Sequence, residues 1–285
     1  MTELLNESEN NHSRAEHLLQ LKRYADAIPV IGGALAKDPQ NYWAHYQMAR
    51  AFVGLKDLTG AATHCDIMIA EQPDEALGYY IKSFVEHQKY NFVAELKMAE
   101  QAAHLEPEDT DILRRLAQAQ IQSGNVKKAR TTAEQLVSLA PDDGDTHEML
   151  GEICLELKDY YQAKQHFTAA LEFNPENASL LNDLARSLIG LKQRDGAIKA
   201  MHNALTLMPD SDLLRENMFR TIQSFLDREK LKGKAALKSL PEQLQYFYRD
   251  YQGRTNILQR HGAVFWAGAW ILFLTLMVGF FSSVT

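Results

Sequence analysis

Residues 144–177 read GDTHEMLGEICLELKDYYQAKQHFTAALEFNPEN, and their pattern of small, apolar and proline residues returns at a fixed interval along most of the chain. Prolines mark the interval most plainly, at Pro39, Pro73, Pro107, Pro141, Pro175 and Pro209. A fixed period in this range indicates an array of structural repeats. With each repeat ending two positions after its proline, the first occupies 8–41 and six 34-residue repeats cover 8–211.

Each repeat contains two stretches with the spacing of an amphipathic helix, since apolar residues recur at i, i+3 and i+4. Small residues recur at the eighth, twentieth and twenty-seventh positions, where a large side chain would hold two crossing helices apart. The proline ends the second helix, because it lacks an N–H and disfavours helical geometry in the residue before it. Glu95 breaks the series at the twentieth position, and we expect a shift of one residue that puts Ala94 at the helix crossing instead.

The fifth repeat carries the fullest set of recurring residues: Leu150, Gly151, Tyr160, Ala163, Phe167, Ala170 and Pro175. On these residues and on the period, the stretch 8–211 resembles the tetratricopeptide repeat (TPR) family. The resemblance implies an all-α, right-handed solenoid of helical hairpins whose first helices line a concave groove. It also implies a protein-interaction scaffold and not an enzyme. The tryptophan that the family carries at the fourth position is absent from all six repeats.

The composition of the chain changes several times along its length, which predicts its organisation. We expect, in order, a polar tail (1–7), six repeats (8–211), a capping helix (212–229), a basic juxtamembrane segment (230–261), a transmembrane helix (262–281) and a short tail (282–285). The capping helix has Leu214, Met218 and Ile222 at helical spacing, and we expect it to cover the last repeat, as such arrays need for solubility.

The segment 262–281 has no charged residue at any position. As a helix it would be about 30 Å long, which matches the hydrocarbon core of a bilayer. Trp266 and Trp270 stand near one end, as interfacial anchors do. Arg254 and Arg260 precede the span, so the positive-inside rule predicts a single-pass C-terminal anchor that leaves the repeats in the cytoplasm.

The segment before the span is basic, since residues 228–260 carry eight basic and three acidic side chains while the whole chain has a net charge of −7. Two interpretations stay open. The segment either contacts anionic lipid headgroups, or it is a solvated linker that only sets the topology. Its tyrosines, among them Tyr248 and Tyr251, either lie at the bilayer interface or pack against the end of the array.

In the resemblance, the second, fifth, sixth and ninth positions of each first helix face the groove, and these positions share one helical face. In repeats two and three they are mostly aromatic or large apolar residues. With two arginines of repeat four they make up the predicted partner-binding residues: Trp43, Tyr46, Arg50, Leu77, Tyr80, Ile81, Phe84, Arg114 and Arg115. An aromatic patch on a solvated face suggests a binding site for a protein or peptide. The alternative is that these side chains pack inside the array.

Other classes of function find no support in the sequence. We expect no enzymatic activity, no cofactor and no small-molecule substrate, because P-loop, GxGxxG and GxSxG motifs are absent. We expect no metal site, since the ten histidines and two cysteines lack the spacing of zinc ligands. Cys65 and Cys154 are expected to be buried apolar side chains. Nucleic-acid binding is not expected, because the repeats are net acidic.

These observations predict a membrane-anchored scaffold or adaptor that binds a protein or peptide in its groove at the cytosolic face of a membrane. Confining a partner to the membrane raises its effective concentration near other membrane components. The alternative is a structural or assembly subunit of a larger membrane protein complex, whose repeats would be permanently covered.

Overall fold

The computed structural model describes residues 13–228 and, further along the chain, Lys238, Gln245, Tyr248, Arg249 and Tyr251. Over 13–228 the chain forms thirteen helices and no strand: α1 (13–20), α2 (Tyr24–Lys37), α3 (Tyr42–Gly54), α4 (Leu58–Glu71), α5 (Ala76–Gln88), α6 (Phe92–Leu105), α7 (Thr110–Gln122), α8 (Val126–Leu139), α9 (Gly144–Glu156), α10 (Tyr160–Phe173), α11 (Ala178–Gly190), α12 (Arg194–Leu207) and α13 (Asp212–Arg228). The helices fall into two compact parts, an N-terminal part with α1–α10 and a C-terminal part with α11–α13. The predicted array of helical repeats is confirmed for these residues.

Within the N-terminal part, the helices from α2 onward each pack against the next along the chain, and the first helices α3, α5 and α7 also contact one another in succession. The helix crossing inside each hairpin is made close by a small side chain. Four alanines at the twentieth position of their repeats have no exposed surface, namely Ala27, Ala61, Ala129 and Ala163. Close approach of the backbones explains why the repeat tolerates so little variation there.

Glu95 occupies the helix-crossing position of the third repeat. α4 begins at Leu58 and α6 at Phe92, which is the same position one repeat later, so the register is unchanged. The Glu95 side chain is 0% exposed and stands where the neighbouring repeats have alanine. The expectation that Ala94 takes this position is therefore wrong.

The turn that joins the two helices of a hairpin has the same geometry in every repeat. One residue in each has a positive φ, between 57° and 74°: Lys22, Lys56, Tyr90, Gly124, Lys158 and Lys192. At Lys56 the amide donates to the carbonyl of Val53 at 3.0 Å, and the following amide, of Asp57, donates to the carbonyl of Phe52 at 2.9 Å. These two bonds satisfy the last carbonyls of the helix and require the left-handed conformation. Only glycine adopts it without strain, so five of the six turns hold a strained residue.

Short polar side chains begin most of the helices. Each of the following accepts a hydrogen bond from a backbone N–H in the first turn: Asn41, Asp57, Asn91, Asp109, Asp143, Asp159 and Asn177. Such caps satisfy donors that have no partner within the helix. They fix the residue at which each helix begins. At a first helix this determines which of its side chains face the groove.

In the C-terminal part, α12 packs between α11 and α13. Four apolar side chains at a spacing of four residues are buried along one face of α13: Leu214, Met218, Ile222 and Leu226. Phe219 on the same helix stacks with Tyr248, with ring centroids 5.0 Å apart, and with Tyr251 at 4.9 Å. These two tyrosines therefore pack against the last described helix of the array.

No helix among the described residues is both long and apolar enough to cross a bilayer. The predicted transmembrane helix at 262–281 lies outside the described residues. So do the tails at 1–7 and 282–285 and most of the basic segment at 230–261. The segment predicted as a capping helix corresponds to α13.

Candidate functional site

Four aromatic residues among the predicted partner-binding set lie on the first helices of repeats two and three. Trp43 on α3 is 55% exposed and Phe84 on α5 is 39% exposed. Tyr46 on α3 and Tyr80 on α5 are half-buried. α3 and α5 contact each other directly, and Tyr46 lies close enough to act electrostatically on Tyr80. These four residues form what we call the aromatic surface.

The ring of Trp43 is held by its neighbours while more than half of its surface stays exposed. It meets Tyr46 edge-on, with centroids 5.8 Å apart, and Tyr42 in the same manner at 6.1 Å. The guanidinium of Arg50 lies over the Tyr46 ring, 5.2 Å from its centroid. Arg50 also donates to the carboxylate of Glu16 on α1 at 2.7 Å. Edge-on and cation–π contacts of this kind favour one orientation of the rings before any partner binds.

The hydroxyl of Tyr80 remains protonated at neutral pH and can donate a hydrogen bond. Burial raises the pKa of Tyr80 above its ordinary value. Asp111 adds to the rise, and Arg115 opposes it. The aromatic surface therefore offers a phenolic donor beside its apolar rings.

The remaining predicted residues of α5 are half-buried. Leu77 lies between the exposed and the buried classes, and Ile81 packs against the core cluster that contains Ala49 and Cys65. Gln47, on the predicted groove face of α3, is only 2% exposed. The sequence left open whether these side chains form an exposed surface or pack inside the array. Trp43 is exposed and Ile81 is packed, so each alternative holds for some of the residues.

Arg115 does not lie on the exposed face that the sequence predicted for it. Its side chain is buried, and its Nη2 donates to Glu95 Oε1 at 2.6 Å and to the carbonyl of Ser83 at 3.1 Å. The guanidinium also lies over the ring of Phe84, 5.5 Å from the centroid. Burial lowers the pKa of Arg115, while Glu95 opposes the change. Arg115 therefore packs against the ring of Phe84 inside the array and is not itself available to a partner.

A histidine completes the buried ion pair. His87 Nδ1 lies 3.0 Å and 3.1 Å from the two carboxylate oxygens of Glu95. The carboxylate thus has a hydrogen-bonding neighbour on each side, as a buried charge requires. Sequence reasoning missed this role of Glu95, although its departure from the small-residue series was the signal.

Arg114 is largely engaged by other parts of the chain. Its Nη2 donates to Asp143 Oδ2 at 2.5 Å, and its Nη1 donates to Asp111 Oδ1 at 3.0 Å. Asp143 caps α9, so Arg114 joins the first helix of repeat four to the start of repeat five. Its charge is balanced by two carboxylates, which reduces the positive charge that it offers to a partner.

The C-terminal part has a cleft of about 450 Å³ between α11 and α13. Its lining includes Asn182, Arg186, Leu213, Asn217 and Arg220. Asn217 donates to the amide oxygen of Asn182 at 3.0 Å. The three residues from α13 stand at the second, sixth and ninth positions of a seventh repeat frame. Extending the 34-residue repeat frame past residue 211 would have identified these three residues from the sequence.

Among the described residues, no group of three or more histidine, cysteine or acidic side chains could hold a metal ion. Cys65 and Cys154 are both buried and unpaired with each other, as free thiols. Burial raises the pKa of Cys65 to about 12 and that of Cys154 to about 11. Neither thiol has the depressed pKa of a nucleophile.

Comparison with known proteins identifies the repeats. The sequence model of the tetratricopeptide repeat matches residues 18–83, 95–153 and 155–217. A search of curated proteins found no match to the sequence.

Solved structures share the fold at low sequence identity. PilF of Pseudomonas aeruginosa superposes with a TM-score of 0.65 at 17% identity, covering 78% of this chain and 98% of that one. YrrB, described as a TPR protein with an unusual peptide-binding site, has a TM-score of 0.58 at 18% identity, covering 65% of this chain and 94% of that one. The Cut9–Hcn1 hetero-tetramer of the APC/C has a TM-score of 0.60 at 16% identity, covering 75% of this chain and 42% of that one. At these identities the likeness concerns the fold alone.

Proposed function

Since the chain belongs to the tetratricopeptide repeat family, we propose that it is a scaffold that binds a protein or extended peptide on the aromatic surface and is anchored to a membrane by residues 262–281. The observation that carries the binding proposal is the exposure of Trp43 and Phe84, at 55% and 39%, on neighbouring first helices. Large apolar side chains that are exposed together on one face often mark a binding site.

The chemistry of the aromatic surface indicates what it would bind. Rings held edge-on offer apolar contact area at little cost in side-chain entropy, and aromatic residues are frequent among those that dominate binding energy. The Tyr80 hydroxyl supplies a directional donor for a backbone carbonyl. A segment with one or two large apolar side chains would therefore fit this surface. The description of YrrB as peptide-binding is in keeping with this proposal.

The binding proposal is tested by selecting ligands from a phage-displayed library of random peptides on the full-length protein in detergent. Selected peptides are then measured by fluorescence anisotropy against the wild type and the Trp43→Ala/Phe84→Ala variant. We expect the variant to bind at least about tenfold more weakly, because losing a central aromatic residue typically costs about 2 kcal/mol.

The matched control is Tyr90→Ala/Val93→Ala, which removes apolar side chains that are 82% and 84% exposed outside the first-helix face. This control should bind the peptides with unchanged affinity. If both variants bind as tightly as the wild type, the aromatic surface is not the binding site.

The anchor proposal is supported by the sequence, in which the uncharged segment 262–281 follows a basic one. We propose that the repeats lie on the cytoplasmic side, because Arg254 and Arg260 precede the apolar segment. Membranes from cells that express the full chain are extracted with alkaline carbonate, beside a chain that lacks 262–281. The full chain should stay in the pellet and be digested by protease added from the cytoplasmic side. Release of the full chain into the supernatant would refute the anchor.

A second candidate function is a structural or assembly subunit of a larger membrane complex. Tyr90 and Val93 favour it, because they present apolar surface near the turn between α5 and α6, outside the first-helix face. A subunit that is normally covered should aggregate or be degraded when it is expressed without its complex. A scaffold should instead accumulate as a stable protein, so the yield and the sedimentation of the protein expressed alone separate the two.

A further inference from the structure

Two pairs of histidines face each other inside the hairpins of repeats two and five. His45 on α3 and His64 on α4 have their Nδ1 atoms 2.8 Å apart. His147 on α9 and His166 on α10 repeat the arrangement at 3.1 Å. Both pairs occupy the fourth and twenty-third positions of their repeats. We call them the histidine pairs.

A backbone carbonyl determines the protonation of one ring in each pair. His45 Nε2 lies 2.9 Å from the carbonyl oxygen of Pro39, and His147 Nε2 lies 3.0 Å from that of Pro141. A carbonyl can only accept, so each of these Nε2 atoms carries the proton. In a neutral ring the Nδ1 atom is then the acceptor. The partner ring, His64 or His166, must donate from its own Nδ1.

In the neutral pair both Nδ1 atoms and the Nε2 atom of His45 or His147 are hydrogen-bonded, and the second of two added protons acts against this arrangement. A first proton can go to Nε2 of His64 or His166, where it leaves the shared bond intact. A second proton has to occupy Nδ1 of His45 or His147, where it meets the N–H of the partner. The hydrogen bond is then lost, and two positive rings face each other with their centroids 5.0 Å apart in the first pair and 5.4 Å apart in the second, where like charges disfavour the doubly protonated form.

The surroundings of the first pair are largely apolar. His45 is only 4% exposed, and the ring of His64 stacks on Phe52 with centroids 5.6 Å apart. Burial lowers the pKa of His64, and His45 lowers it further. Among the described residues, on α2 and α5 as well as on its own hairpin, His45 is the ionisable neighbour that acts on this pKa.

The second pair has charged neighbours from two helices. Burial lowers the pKa of His166, and His147 and Arg130 lower it further, whereas Glu134 and Asp159 raise it. Arg130 on α8 donates to Glu134 at 2.8 Å and to Asp159, the cap of α10, at 3.0 Å. Two carboxylates against one guanidinium make a positive charge on His166 less unfavourable than on His64. The second pair should therefore respond less strongly to acid.

We infer that the histidine pairs make the α3–α4 and α9–α10 hairpins open more often in mildly acidic solution, while the α7–α8 hairpin, which has no such pair, keeps its opening equilibrium. An opened hairpin exposes histidines of ordinary pKa, about 6.5, and so binds more protons than the closed one. The closed state is therefore fully favoured above that pH and loses stability as the pH falls below it. Because α3 also carries Trp43 and Tyr46, opening would disturb the aromatic surface, although the inference does not depend on the proposed function.

The test is hydrogen–deuterium exchange, read by mass spectrometry, of the full-length protein in detergent at pH 7.5 and pH 5.5, corrected for intrinsic exchange rates. The α7–α8 hairpin is the internal reference, because Leu113 and Thr132 replace the two histidines there. We expect the opening equilibrium of α3–α4 to rise by up to about tenfold per pH unit for each proton taken up, and that of α9–α10 to rise less. An equal change in α7–α8 would overturn the inference.

A paired variant tests the same point at one hairpin. His45→Tyr/His64→Met installs the residues that the chain itself uses at these positions in the third repeat, Tyr79 and Met98. It should abolish the acid response of α3–α4 and leave that of α9–α10 intact. His202→Gln, which changes an exposed histidine, should leave both responses unchanged. If α3–α4 of the paired variant still responds to acid, the inference is wrong. If that variant does not fold, His147→Tyr/His166→Met tests the inference in the same way at α9–α10.

Discussion

The carboxylate of Glu95 accepts a hydrogen bond of 2.6 Å from Nη2 of Arg115, and both side chains are buried between α5, α6 and α7. The pair joins the second helix of repeat three to the first helix of repeat four. Every other repeat has alanine where Glu95 stands. The third repeat thus places one partner of a buried ion pair where the other repeats have a small side chain.

Removing one partner of this pair should be strongly destabilising. Glu95→Ala leaves the Arg115 guanidinium buried without its counter-ion, and we expect a loss of about 3–5 kcal/mol. The double variant Glu95→Ala/Arg115→Met, which uses the methionine found at this position in repeat five, should recover most of the loss. Urea unfolding followed by circular dichroism measures both. A double variant as unstable as the single one would show that the charge of Arg115 is not the cause.

Replacing a strained turn residue by glycine should stabilise the protein, in contrast to Glu95→Ala. Lys158 has φ of 61°, where a glycine would avoid the clash of Cβ, so Lys158→Gly should stabilise the protein by about 0.5–1 kcal/mol. The matched reverse change, Gly124→Lys, should destabilise it by a similar amount, since Gly124 has φ of 74°. Thermal unfolding measures the pair. The two substitutions should change the stability with opposite signs. If Lys158→Gly destabilises the protein, the lysine side chain must make a contact that compensates for the strain.

Gly151 and Phe167 form a complementary pair in repeat five. A Cβ added to Gly151 would stand 2.8 Å from Cε1 of Phe167, whose ring is fully buried. Gly151→Ala should therefore cost about 1–3 kcal/mol, despite the better helix propensity of alanine. The same change in a Phe167→Ile background should be neutral or stabilising, because repeat one combines Ala15 with Ile31 at these positions. A double-mutant cycle without coupling between the two sites would contradict the proposed contact.

The two thiols should be unreactive in the folded protein. With pKa values raised to about 12 for Cys65 and about 11 for Cys154, the thiolate fractions at pH 8 are about 10⁻⁴ and about 10⁻³, and only the thiolate reacts. Mass spectrometry after treatment with iodoacetamide at pH 8 should find neither modified in the folded state and both modified in urea. As the pH rises toward 11, Cys154 should react before Cys65. Rapid alkylation at pH 8 would show that these helices open frequently.

The repeat could be predicted from the sequence because one physical rule determines it at every occurrence. Proline cannot continue a helix and a small residue must stand at each close crossing, so the positions of the hairpins follow from the fixed period. The same rule led to the wrong expectation for Glu95. Its partner, Arg115, belongs to the next repeat, and a carboxylate is recognised as a core residue only when the counter-ion that reaches it is known.

The aromatic surface could be predicted only in part. The helical face of Trp43 and Phe84 follows from their positions in the repeat, and both side chains are exposed. Ile81 and Arg115 share that face by position but are packed or paired, since their exposure depends on how closely α5 approaches α4 and α7. The histidine pairs were missed because pattern reading treated each histidine singly. Their identical separation along the chain in two repeats was a usable signal.

The ring contacts of Tyr248 and Tyr251 with Phe219 also limit how far α13 can stand from a bilayer. With the proposed anchor beginning at residue 262, only ten residues separate it from the ring contact on α13. A fully extended chain of that length reaches about 35 Å. The last described helix would therefore stay within about 35 Å of the lipid surface, and α13 would be held near other membrane proteins even when no partner is bound.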